Sequence, residues 1–119
     1  MAFKFEKLEV WQEAVELSLK VHQLTESFPK EEMYNLTSQI KKAADSVSLY
    51  IAEGSTGQGN TEFKRLLSSA VRSGIEVVGC LHLAKKRSLI SEEEFSSVYE
   101  FSEKLVKRLQ ILKKSIPIF

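Results

Sequence analysis

The sequence predicts an all-α fold, an up-down-up-down antiparallel four-helix bundle built by residues 1–119 as a single domain. Three observations carry this. Four stretches place apolar residues alternately four and three positions apart, which is the period of one face of a helix. Residues that end or begin helices separate them: Pro29, the segment Gly54–Asn60, and Ser91. No stretch alternates apolar and polar residues as a half-buried strand does, and 5 glycines with 2 prolines in 119 residues are too few for a turn-rich β fold. The helices are expected at about 8–28, 35–53, 61–86 and 92–115.

In the first segment the seam is Val10, Ala14, Leu17, Val21, Leu24 and Phe28, widened by Trp11 and Val15. Pro29 ends it, because its ring clashes with the preceding turn and it has no N–H to donate. A short turn through Lys30–Tyr34 is expected to lead into the second segment.

The second seam is Leu36, Ile40, Ala43, Val47 and Ile51. Beside it runs a line of small residues, Thr37, Ala44, Ser48 and Ala52, which predicts close neighbours on two sides. Gly54 is expected to cap this helix in a left-handed conformation.

Gly54–Asn60 forms the flexible link, and Asn60 or Thr61 is the expected N-cap of the third segment, with Glu62 at its positive end. Phe63, Leu67, Ala70, Gly74, Val77, Leu81 and Ala84 make its seam, and Leu66, Val71, Ile75 and Val78 broaden it. So broad a face predicts the most buried helix. Gly74 and Gly79 each cost up to ~1 kcal/mol relative to Ala inside a helix, and close packing against another element is the expected compensation.

Ser91 and Glu94 read as a capping box opening the fourth segment. Its seam is Phe95, Val98, Ser102, Leu105, Leu109, Leu112 and Ile116, and Pro117 ends it. Acids crowd its start and bases its end, which complements the helix dipole.

Several function classes are excluded or disfavoured. One cysteine allows no intrachain disulfide framework and no multi-cysteine zinc site. His22 and His82 are the only histidines, and Cys80 and His82, two positions apart on a helix, point about 200° from each other. No cofactor or metal is therefore expected. The link Gly54-Ser-Thr-Gly-Gln-Gly-Asn-Thr61 has the glycine spacing of a phosphate-binding loop, but Asn60 stands where that loop needs lysine, and a helix precedes it instead of a strand. Glu53, Glu76 and this loop are the residual candidates for an enzymatic centre, and a non-enzyme is expected. The start of the chain lacks the apolar core of a secretory signal, and no continuous apolar run approaches a membrane span, so a cytoplasmic protein with no membrane role is expected.

The formal charge is +1, yet the first half of the chain is acidic and the second half basic. Lys41, Lys42, Lys64, Arg65 and Arg72 are the candidate nucleic-acid contacts, since a cationic surface binds phosphates by counterion release. The line Glu62, Arg65, Ser69, Arg72, Glu76 equally describes a solvated helix face with internal ion pairs. The apolar excess on the second and third helices, with Trp11, Tyr50 and the tail Ile116-Pro-Ile-Phe119, predicts a homo-oligomer in which Trp11 and Tyr50 lie at the interface.

Leu8-Glu-Val-Trp11-Gln-Glu-Ala14, Leu36-Thr-Ser-Gln39-Ile40 with Ala43-Ala44, Ile51-Ala-Glu-Gly54, Glu62-Phe63 and Leu83-Ala84-Lys85 occur in order. This set resembles the bacterial four-helix-bundle family of 23S ribosomal RNA intervening-sequence proteins over about residues 5 to 115. The resemblance implies a homopentamer, and related members are accessory proteins of diversity-generating retroelements that bind nucleic acid. Ser38, Gln39, Ala43, Ala44, Glu53 and Gly54 match the family pattern. Ser48-Leu49-Tyr50 replaces its Pro-x-Asn, and Val78 stands where a second Glu is common. Two functions follow as expectations: a non-catalytic oligomer that binds RNA or DNA through basic patches, or an adaptor whose partner is another protein, such as a reverse transcriptase.

Overall fold

The computed structural model describes residues 3–118. Its four helices are α1 (Glu9–Thr25), α2 (Leu36–Gly54), α3 (Asn60–Lys86) and α4 (Glu92–Ser115), with no strand among the described residues. Single 3-10 turns at Lys4–Lys7 and Lys30–Glu32 precede α1 and α2. Each helix touches its two neighbours in the ring α1–α2–α3–α4, while the diagonal pairs α1/α3 and α2/α4 do not meet. Cross-helix contacts fix the antiparallel order. Lys64, early in α3, donates to the carbonyl of Ile116, and Lys85, late in α3, reaches Glu92 at the start of α4. The product is a rod of 47 × 24 × 21 Å.

The expected seams form the core. Leu17, Val21, Ile40, Val47, Ile51, Leu67, Val77, Leu81 and Leu109 are wholly buried. Each such side chain stabilises the fold by roughly 1.5–3 kcal/mol relative to an exposed one. Ser102, the polar member of the fourth seam, is also buried and returns its hydroxyl to the Val98 carbonyl at 2.8 Å, so it leaves no unpaired group in the core.

Helix ends differ from expectation in three places, each for a local reason. First, α1 stops at Thr25, four residues before Pro29. The Thr25 and Ser27 hydroxyls bond back to the His22 and Leu24 carbonyls, and Phe28 is held by a turn to the Thr25 carbonyl. Second, Gly54 is not a left-handed cap. It is the last helical residue, and Ser55 closes the helix with φ −88°.

Third, Gly59, with φ +110°, precedes α3, so neither Asn60 nor Thr61 caps it; Asn60 is already helical. α3 ends at Lys86, where expected, in a Schellman motif that periodicity gives no sign of. The Leu89 N–H donates to Ala84 at 2.9 Å and the Ser88 N–H to Lys85 at 3.0 Å, with Ser88 left-handed at φ +59°. The Ser91–Glu94 capping box forms as expected, with reciprocal bonds of 3.0 and 2.8 Å.

α3 is not the most buried helix. Eight of its 27 residues are buried, against eight of 19 in α2. Ile75 and Leu83 stay exposed on its outer side. Gly74 admits Val106 of α4, whose Cγ2 would lie 2.7 Å from a Cβ there; at Gly79 a Cβ would meet nothing within 4 Å. The compensation expected for both glycines thus exists inside the subunit for Gly74 alone. By length and composition α3 is also long and apolar enough to cross a membrane, although it contains no long continuous apolar run. Its inward positions here fill the bundle.

Candidate functional site

The five expected phosphate-binding residues lie on two helices, α2 and α3. Lys41 and Lys42 lie on α2, and Lys41 is half-buried. Lys64 turns towards α4 and donates its Nζ to the Ile116 carbonyl at 3.0 Å. Arg65 is clamped by Glu62, with Nε and a terminal nitrogen 2.8 and 2.6 Å from the two carboxylate oxygens. That fork holds the Glu62 carboxyl below its usual pKa and raises that of the guanidinium. Arg72 is exposed, two helical turns further on, and forms no ion pair among the described residues. Arg65 and Arg72 therefore share the outer side of α3, about 10 Å apart by helical rise, and they are the pair the geometry brings together.

Trp11 and Tyr50, the expected interface residues, are half-buried and pack on the subunit's own core. Trp11 makes an edge-to-face contact with Phe5 of the N-terminal turn, with centroids 4.9 Å apart. The uncovered apolar side chains are others: Val15 and Leu19 on α1, Leu49 on α2, Ile75 and Leu83 on α3, and Ile111 on α4. Leu49, Ile75 and Ile111 are 58, 56 and 68 % exposed. In the expected apolar tail, Ile116 is half-buried and Ile118 exposed, whereas Phe119 lies outside the described residues.

One polar cluster was not foreseen. Asp45 of α2 accepts a hydrogen bond from Ser18 of α1 at 2.5 Å, and the same oxygen lies 3.2 Å from His22 Nε2. The i,i+4 spacing of Ser18 and His22 was its only sequence signal. The order is wrong for nucleophilic catalysis, which needs the imidazole between hydroxyl and carboxylate. Here the carboxylate sits between them, so the imidazole is not placed to take the Ser18 proton, and the cluster joins α1 to α2.

The remaining enzymatic candidates stay apart. Glu76 accepts from Gln39 at 3.3 Å and ties α3 to α2, while Glu53 is exposed near the far end of α2. The glycine link borders an open cavity of about 450 Å³ lined by Lys4, Leu8, Gly57, Gly59, Asn60 and Phe63. Its positive-φ glycines, Gly57 and Gly59, bend the chain between two helices. No group of three or more His, Cys, Asp or Glu side chains among the described residues could hold a metal. Cys80 is buried, and burial raises its thiol pKa, which favours the unreactive protonated form.

The bundle is similar to the crystal structure, at 1.70 Å, of a protein of unknown function from the S23 ribosomal protein family of Bacteroides thetaiotaomicron. The TM-score is 0.82 at 22 % identity, covering 88 % of this chain and 95 % of that one. At that identity the likeness speaks for the fold. No curated protein matches the chain. The family of 23S rRNA-intervening sequence proteins matches residues 6–111, nearly the whole of the bundle just described, and the chain belongs to that family.

Proposed function

We propose that this protein is a non-catalytic, cytoplasmic homo-oligomeric scaffold, pentameric as the family resemblance implies, that binds RNA or DNA through its repeated basic surface. The observation that carries the reading is the set of outward apolar side chains in mid-helix, Leu19, Leu49 and Ile75, which the subunit's own core leaves uncovered. Assembly would cover them and would present the Arg65–Arg72 pair once per subunit. A single bundle of net charge +1 binds a polyanion weakly, and repetition raises the effective affinity without any new contact.

Titration against a structured RNA between about 50 and 200 mM salt tests the nucleic-acid part, because each released counterion steepens the salt dependence. Steep weakening with salt is expected, and Arg65→Ala with Arg72→Ala should flatten the slope. No binding at the lowest salt removes this part. The adaptor reading draws on a different feature: Met33 and Tyr34, in the turn before α2, are exposed, Tyr34 by 93 %. A stoichiometric partner protein retained after nuclease treatment would favour it.

A further inference from the structure

A cavity of about 310 Å³ opens between α1 and α4, lined by Glu13, Phe101, Lys104, Leu105, Lys107 and Arg108. Phe101 and Leu105 give it an apolar wall, and the rest of its lining is three cations and one carboxylate. Arg108 is committed, its two terminal nitrogens bonding to Glu9 and Glu13. Lys107 stands 3.8 Å from Glu103, at the limit of an ion pair. Lys104 is exposed and forms no ion pair among the described residues. Lys20 of α1 adds another cation, its Nζ 5.1 Å from the centre of the Phe101 ring. Glu13 gives its Oε2 to Arg108, whereas its Oε1 is buried and meets no hydrogen-bond donor. A buried carboxylate oxygen without a donor is destabilising, and a ligand N–H is one way to satisfy it.

We infer that this cavity binds a nucleotide whose base carries an exocyclic amino group, cytosine or adenine. The excess of cations favours an anion, and a phosphate meets Lys104 and Lys107. The apolar wall favours a flat ring, and the volume lies at the small end of the range for ligand pockets. Glu13 Oε1 favours an N–H donor. An ammonium is repelled by the surrounding cations, but the neutral amino group of a base is not, and carboxylates accept from such groups. Uracil puts a carbonyl oxygen where cytosine has its amino group, and that oxygen repels the carboxylate. Guanine presents two adjacent N–H donors to the single free oxygen. The inference goes beyond the Arg65–Arg72 surface, which takes phosphates alone, and stands without it. Leu19, which the proposed assembly covers, lies about 120° around α1 from Glu13, so the two uses of α1 do not compete.

Nuclear magnetic resonance titration of the isotope-labelled protein tests the site. The probes are cytidine, adenosine and uridine monophosphates, with short oligocytidylate and oligouridylate strands. The cytidine and adenosine forms are expected to shift the amide signals of Phe101, Lys104 and Leu105. They should bind about tenfold more tightly than the uridine form, the usual worth of a hydrogen bond to a charged group. Glu13→Gln is expected to erase that preference, because an amide accepts or donates equally well, and Lys104→Ala to weaken all three nucleotides alike. Glu9 still holds Arg108 in the first variant, and Lys104 is exposed, so both should melt as the wild type does. Shifts with oligocytidylate alone make the ligand a base within a strand, and shifts with the monophosphate make it a free nucleotide; either supports the site. No shift at these residues, equal affinity for cytidine and uridine forms, or a preference kept in Glu13→Gln overturns it. Arg65→Ala with Arg72→Ala should leave these shifts intact, so failure of the phosphate-binding surface reads separately from failure of this cavity.

Discussion

The ring of Phe63 on α3 occupies the space beside Gly54 on α2. A Cβ added to Gly54 would lie 2.8 Å from Phe63 Cδ1 and 3.2 Å from Leu66 Cβ. The glycine in Ile51-Ala-Glu-Gly54 therefore permits helix contact and not a left-handed turn. Leu66 Cβ is fixed to the backbone, so α3 itself must shift to admit a methyl group. Gly54→Ala is expected to lower stability by about 1–3 kcal/mol, the usual cost of overpacking. The check is a lower urea midpoint at unchanged slope.

Ser88 presents the opposite case. It holds a left-handed conformation at the Schellman C′ position with φ +59°, which a Cβ makes unfavourable by roughly 1–2 kcal/mol. Ser88→Gly removes that strain and adds some unfolded-state entropy, so a net gain of about 0.5–1 kcal/mol is expected. Thermal melting at matched protein concentration reads it.

Glu62 restrains Arg65. Its carboxylate takes one edge of the guanidinium, Nε and a terminal nitrogen, leaving less of it for a phosphate. Glu62→Gln is expected to tighten RNA binding and steepen its salt dependence, while stability changes little because solvent screens an exposed ion pair. Parallel salt titrations of variant and wild type decide this; unchanged binding would mean Arg65 contributes no phosphate contact.

Cys80 is 2 % exposed, and burial holds its thiol above the ordinary cysteine pKa. Raising pH through the normal thiol range should therefore ionise it less in the folded protein than in the unfolded one. At about pH 8, near the reference thiol value, alkylation is expected to be slow in buffer and fast in denaturant. Mass spectrometry after timed quenching measures both rates. Equal rates would mean the helix opens readily around Cys80.

The bundle was legible because its core is periodic. Leu17, Ile40, Leu67, Val77 and Leu109 are buried where a 3.6-residue period puts them, and the Ser91–Glu94 box is a purely local signal. What the sequence hid depends on partners far along the chain. Nothing near Gly74 announces Val106, and nothing near Asp45 announces Ser18 and His22. The same limit affected the outer surface. Trp11 looked like excess apolar area because the turn that brings Phe5 against it has no periodicity, while Ile75 looked like core because it lies close to the seam of α3. The basic residues could be counted, but their separation around two helices, and the grip of Glu62 on Arg65, appear only with the helices in place.

Subunit assembly through the outward apolar faces is the claim most exposed to test. Gel filtration coupled to light scattering, on wild-type protein at tens of micromolar, measures the mass directly. The account predicts a discrete species several times the 13.5 kDa subunit. A single subunit at every concentration would contradict it.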